Sequence, residues 1–219
     1  MTNIIQNFNW TTLLNMAVSL VAALTCIVFH EMSHGLTAAL LGDKTAKQMG
    51  RLSFNPLRHI DPVGILAFVF LGFGWAKPVQ IDPRNFKNPK AGMALTALAG
   101  PVSNFVLAAI FLFILGILLH FFGAAALVSE ITARIAYFSI VLGIFNLVPV
   151  PPLDGSKILF AVASDELWAK LMRFERYGFI LLIILIMLPA TGNLLSAAST
   201  SVFNWMLNIT AFSNQLLSA

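Results

Sequence analysis

The fold turns on the run Met16-Ala17-Val18-Ser19-Leu20-Val21-Ala22-Ala23-Leu24-Thr25-Cys26-Ile27-Val28-Phe29, which passes without a break into His30-Glu31-Met32-Ser33-His34. A membrane-spanning helix needs about 20 mostly apolar residues, and Leu13 to Leu41 supplies them. Two imidazoles and a carboxylate sit in the middle of that span, where a charged side chain costs a few kcal/mol or more, so they are functional by default. Positions i and i+4 lie on one helical face about 6 Å apart along the axis, which lets His30 and His34 reach one metal ion. Glu31 is rotated by about 100° and addresses a water on that metal, the logic of the His-Glu-x-x-His zinc motif.

Composition agrees with a lipid environment. Of 219 residues, 58% are hydrophobic and 10% charged, against about 25% charged in a soluble domain. This excludes an ordinary water-soluble globule and favours an all-α polytopic membrane protein, read as one domain over 1–219 with a core at 13–160 and an accessory tail at 177–219. The net charge of +4 does not point to nucleic acid, because no basic run is interleaved with aromatics. One cysteine, Cys26, leaves no disulfide and no Cys-x-x-Cys, and is read as apolar packing. Met1 to Trp10 lacks basic residues and a small-residue cleavage site, so the first apolar segment is expected to stay in the mature chain.

Met93 to Phe122 and Ile131 to Val150 are the other clear spans. Val63 to Ala76 is too short, is interrupted by Gly64, Gly72 and Gly74 and bracketed by Pro62 and Pro78, and reads as a re-entrant or interfacial element. Eight of the 13 basic residues (Lys44, Lys47, Arg51, Arg58, Lys77, Arg84, Lys87 and Lys90) lie between Gly42 and Lys90, and Lys157, Lys170, Arg173 and Arg176 form a second cluster. The positive-inside rule puts both clusters in the cytoplasm and the N-terminus outside. After Arg176 no charged side chain follows, and Leu194 to Ala219, a weaker Ser- and Asn-rich candidate for a span, is expected to lie along the outer face, with a further crossing as the alternative. Trp75, Trp168 and Trp205 suit interfacial belts, and His59 and His120 read as interfacial histidines.

Catalytic zinc takes three protein ligands and an open position. The third candidate is Asp154, in Asn146-Leu147-Val148-Pro149-Val150-Pro151-Pro152-Leu153-Asp154-Gly155, where the prolines forbid a regular helix and unwound backbone at membrane depth is tolerated where it lines a protein or water-filled cavity.

These residues resemble the site-2 protease family of intramembrane zinc metalloproteases. His30-Glu31-x-x-His34 is similar to its first motif and Asn146-x-x-Pro149-x-Pro151-x-Leu153-Asp154-Gly155 to its second. Ala99-Gly100-Pro101-Val102-Ser103-Asn104 resembles a further family element, and Gly50-Arg51-Leu52, Asn55-Pro56-Leu57 and Asp61-Pro62 are similar to its compact bacterial and archaeal members. The resemblance implies one zinc ion on His30, His34 and Asp154, with Glu31 as general base and Asn146 stabilising the oxyanion or orienting the substrate carbonyl. Asn104 is read as a packing and hydrogen-bonding residue near the Gly100-Pro101 kink. The expected function is hydrolysis of peptide bonds within or near the transmembrane segment of a single-span protein in a prokaryotic cell membrane, with the site toward the cytoplasm.

Such a substrate must unwind locally before its carbonyl is reached. Thr45 to Asn55 is expected to form a hairpin that receives the extended substrate by strand addition, with Gly50, Leu52 and Phe54 as contact residues. No stretch suggests a PDZ-like or CBS-like domain, so a regulatory partner is an open expectation. Two other classes are weighed: a membrane metal-binding or transport protein, which needs ligands at several stations, and a catalytically silent binder of transmembrane helices, against which the intact Glu31 argues.

Overall fold

The computed structural model describes residues 10–71 and 76–218. Helices account for the regular structure of these residues, with one isolated antiparallel bridge between Ile60 and Ala76. Three helices are long and apolar enough to cross a membrane: α1 (Trp10–Leu40), α4 (Pro89–Phe122) and α5 (Leu127–Leu147). Between the first two come a helical turn, α2 (Thr45–Gln48), and the short α3 (Pro62–Leu71). Past α5 lie α6 (Asp154–Ala161), α7 (Asp165–Met187) and α8 (Pro189–Ser218). The chain turns by 79° between Ile180–Met187 and Pro189–Ser218, and this bent pair is sufficient in length and hydropathy for a fourth crossing.

Local chemistry sets the helix ends. Asn88 caps α4 by accepting a hydrogen bond from Ala91 N, with Pro89 in the first turn where its missing N–H costs nothing. Gly123 ends α4 at φ +75°, and α5 stops at Val148, whose extended backbone precedes Pro149. α1 packs antiparallel to α4, with Ala22 and Cys26 near Leu107 and Ala38 near Met93. α5 returns against α4 through Ala136, Ile140, Ala108 and Leu112. At the end of the bundle far from His30, Arg134 bonds Asn15, Ser19 and Glu130, joining α5 to α1.

The tail departs from the outer-face reading. Leu194 to Ala219 does not lie across the bundle's end: Pro189–Ser218 is one helix packed lengthwise on α4, with Met206 in the core beside Leu112, Thr210 Oγ1 bonding Leu112 O, and Asn214 next to His120. Its Ser and Thr residues lower its hydropathy, yet Ser199, Thr210 and Ser213 are buried, the small-residue packing that membrane helices use.

The hairpin expected over Thr45 to Asn55 is also replaced. Asp43 Oδ1 accepts from Thr45 N and Oγ1 and starts a helical turn, and Gly50 at φ +65° reverses the chain. The side chains of Arg51 and Arg58 then bond the carbonyls of Arg58 and Gly50, so side chains serve backbone groups that a strand ladder would otherwise pair. The re-entrant reading of Val63 to Ala76 fits better. Asp61 Oδ1 accepts from the Val63 and Gly64 amides at the start of α3, and the Ile60–Ala76 bridge sets the excursion's entry and exit side by side. Residues 72–75, with Trp75, lie outside the described residues, as does the Trp168 side chain; Trp205 is exposed on α8.

Candidate metal centre

α1 carries His30 and His34 on its buried face, one turn apart, as the i, i+4 spacing requires. Their Nε2 atoms stand 2.9 Å from each other. Asp154, delivered by the proline-rich loop after α5 at the first position of α6, brings Oδ2 to 3.1 Å from each Nε2. Three potential donor atoms thus form a nearly equilateral triangle from two elements far apart in sequence. Gly155 makes the loop possible: a methyl there would fall 2.2 Å from Leu147 O.

The triangle fits a metal ion. Asp154 Oδ2 is buried and accepts no well-formed hydrogen bond despite its two near neighbours. His34 Nδ1 donates to Thr96 O at 2.7 Å, which leaves Nε2 as a bare lone pair aimed at the shared point. Gly100 of α4 opens the space behind the rings, since a methyl there would lie 2.4 Å from His34 Cε1 and 2.6 Å from His30 Cε1. Ligand edges near 3 Å suit nitrogen and oxygen donors at about 2.0–2.2 Å around one zinc ion.

Glu31 also has an oxygen within 4.8 Å of the two imidazole nitrogens. Asp154 is the nearer carboxylate, and Glu31 Oε2 is engaged elsewhere, accepting the Val79 backbone N–H at 2.8 Å. Asp154 is therefore the third member of the set and Glu31 flanks it. Around them is a cavity of 130 Å³ lined by His30, Glu31, His34, Asn146 and Asp154, walled by Pro78, Val79, Ile81, Met93, Ala97 and Pro152, with Lys157 also on its lining. Asn146 is half-buried and turns its amide nitrogen back onto Leu142 O at 3.0 Å.

The substrate-contact candidates lie apart from this cavity. Leu52 packs on Gly35 of α1, Phe54 stacks near Phe29 with ring centres 5.6 Å apart, and Gly50 bonds within its own turn. The segment that does reach the cavity is Pro78 to Ile81, fixed by Lys77 N donating to His59 O and by Asp82 N donating to Asp43 Oδ2. His59 is buried, with Nε2 on Ser53 O. Asn104 is buried and hydrogen-bonded as expected, and its partner is His30 Nδ1 at 3.0 Å.

Several known proteins are similar to this chain. The profile described as Peptidase family M50 matches residues 121–189, the part that includes the second motif. YwhC of Bacillus subtilis, named as a zinc metalloprotease, is 39% identical over 180 residues, covering 80% of each chain. The chain belongs to peptidase family M50. Rip2 of Mycolicibacterium smegmatis, also named as a zinc metalloprotease, is 28% identical over 205 residues, covering 90% of this chain and 75% of its own. The zinc metalloprotease MJ0392 of Methanocaldococcus jannaschii is 26% identical over 150 residues, 68% of this chain and 35% of that protein. No solved structure matches. This M50 member is thus a multi-pass membrane metalloprotease of the site-2 type, and zinc is the metal that fits both its relatives' names and its donor set.

Proposed function

We propose that this protease cuts peptide bonds within or beside the transmembrane segment of single-span membrane proteins, as in regulated intramembrane proteolysis. The observation that carries the reading is the convergence of His30 Nε2, His34 Nε2 and Asp154 Oδ2 inside the helical bundle, alongside a carboxylate free of the triangle. Zinc bound there supplies Lewis acidity, activating water near neutral pH and polarising a peptide carbonyl.

The chain's own groups do the rest. Glu31 takes the proton from the attacking water and delivers it to the departing amine, and the Val79 N–H on Oε2 keeps its carboxylate turned toward the cavity. Asn146, on the cavity lining, releases Leu142 O and donates Nδ2 to the developing oxyanion. Met93, Ala97, Val79 and Ile81 keep bulk water out. The loops joining α1 to α4 and following α5 lie at the same end of the bundle as this site and carry the basic clusters, which supports a cytoplasmic orientation with the N-terminus outside.

A transport role would need further ligand stations, and among the described residues His, Cys, Asp and Glu side chains cluster closely enough for a metal at this site alone. The test uses full-length protein in detergent with zinc and a model single-span substrate, comparing wild type with Glu31→Gln while bound metal is quantified. Cleavage by wild type alone, with about one zinc per chain in both, is expected from a base held beside a three-ligand site. Equal cleavage by both proteins removes Glu31 from the mechanism; metal bound without cleavage of several substrates favours a silent binder.

A further inference from the structure

One buried polar atom behind the triangle is left without a role by the zinc-ligand reading. Asn104 is fully buried in α4; its Nδ2 stands 3.0 Å from His30 Nδ1, and its Oδ1 has no partner. With the amide in that orientation Nδ2 donates to Nδ1, which makes Nδ1 the lone-pair nitrogen and puts the proton of a neutral imidazole on Nε2. That proton would point into the triangle, 2.9 Å from His34 Nε2.

We infer that Asn104 is a positioning residue for the His30 ligand, with its carbonyl oxygen facing Nδ1, accepting the Nδ1–H and leaving Nε2 bare for the metal. Amide oxygen and nitrogen have the same shape, so half a turn about the terminal bond exchanges them without moving a neighbour. Either orientation leaves one amide atom without a protein partner, so Asn104 itself does not decide between them. The imidazole does, because only the exchanged orientation makes a metal ligand of Nε2. His34 shows the same arrangement already made, its Nδ1 donating to the Thr96 carbonyl.

Both acceptors come from one face of α4. Thr96, Gly100 and Asn104 recur every four residues, so the helix offers a carbonyl to His34, a gap for both rings, and a side-chain carbonyl to His30. Acceptors behind metal-bound histidines fix the tautomer and raise ligand basicity, and losing one typically costs 10–100-fold in metal affinity.

The inference rests on His30 being a zinc ligand, and the test separates the two. Zinc affinity of the full chain in detergent is measured by competition with a chromophoric chelator, and cobalt substitution reports ligand geometry through its visible absorption. Asn104→Leu is expected to bind zinc about 10–100-fold more weakly, while Asn104→Asp stays within about threefold of wild type and keeps the cobalt spectrum. The Asp arm stands alone if the Leu chain cannot be recovered, because a carboxylate accepts from Nδ1–H and cannot donate to Nδ1. An Asp variant that loses zinc, or a Leu variant that binds like wild type, overturns the inference and leaves the zinc site intact. Wild-type binding that survives His30→Ala overturns the ligand assignment itself, and this inference with it.

Discussion

Gly100 and Gly116 occupy the same helix, about 24 Å apart along α4 at ~1.5 Å per residue, and each lets something approach the backbone more closely than any side chain would permit. At Gly100 the close neighbours are ring atoms of His34 and His30; at Gly116 they are Ser213 Oγ, 1.8 Å from where a methyl would stand, and Thr210 O of α8 at 2.3 Å. One gap serves chemistry and the other serves helix association. The difference lies in what can yield. α8 is a separate helix that can back away as a unit, at a cost in packing. The two imidazoles are fixed by Thr96, Asn104 and Asp154, so on the proposed zinc ligation a displaced ring is a displaced ligand.

The largest expected effect follows from that rigidity. Gly100→Ala forces the rings aside by about an ångström, and misplacement on that scale costs about 10²-fold in rate. Peptide hydrolysis should fall by about that factor and zinc should bind at least about tenfold more weakly, because outer contacts of the ligands are broken. Chelator competition and substrate cleavage check it together. If Gly100→Ala lowers the thermal midpoint but leaves zinc affinity untouched, the gap is mere packing and the contrast with Gly116 collapses.

At Gly116 the reverse pattern is expected. A methyl there overpacks the α4–α8 contact, where Thr210 bonds Leu112 O and Met206 enters the core, at a cost of about 1–3 kcal/mol. Thermal unfolding in detergent should show the loss, with zinc affinity and cleavage per folded molecule unchanged. A Gly116→Ala chain that unfolds normally but loses zinc would mean that α8 shapes the site from a distance.

The two halves of α4 also differ in how far the sequence discloses them. α1, α4 and α5 are legible because each is a long apolar run, and His30, His34 and Asp154 because ligand spacing and a run of prolines are local signals. α8 is obscured, since Ser199, Thr210 and Ser213 read as polar although they are buried against a neighbour, and helix-to-helix burial leaves no mark in a hydropathy window. The supports of the site are hidden for another reason. Val79 acts on Glu31 and Thr96 on His34 through backbone groups, which any residue type supplies. Asn104 is visible as part of Gly100-x-x-x-Asn104, but pairing it with His30 joins positions 74 residues apart. The usable clue is the four-residue recurrence Thr96, Gly100, Asn104, which sets all three on one face of a membrane helix. The hairpin fails as an expectation because a glycine at the centre of a polar stretch marks a reversal without saying what flanks it, and Asp43 settles that by starting a helical turn.

The smallest expected effect concerns acid and again divides the two halves. Asp43 is fully buried at the exit of α1, with Oδ1 accepting from Thr45 and Asn85 and Oδ2 from the Asp82 amide, so it ties the segment that walls the cavity to the end of α1. Burial alone pushes the carboxyl up, but the Thr45 hydroxyl, the Asn85 amide and the backbone N–H groups of Asp82 and Thr45 outweigh it and hold Asp43 below the ordinary aspartate value. Because the folded value is the lower one, the tie contributes fully above the unfolded aspartate value of about 3.9 and fades as pH falls through the folded value. Hydrogen exchange should therefore show the Thr45 and Asp82 amides losing protection below about pH 4, and Asp43→Asn should abolish that step. Neither α4 nor α8 carries an aspartate or glutamate, so amides at their contact should keep their protection across the same range. Equal loss at both places would mean that acid melts the bundle as one unit, and that the exit of α1 and the cavity wall have no separate fastening.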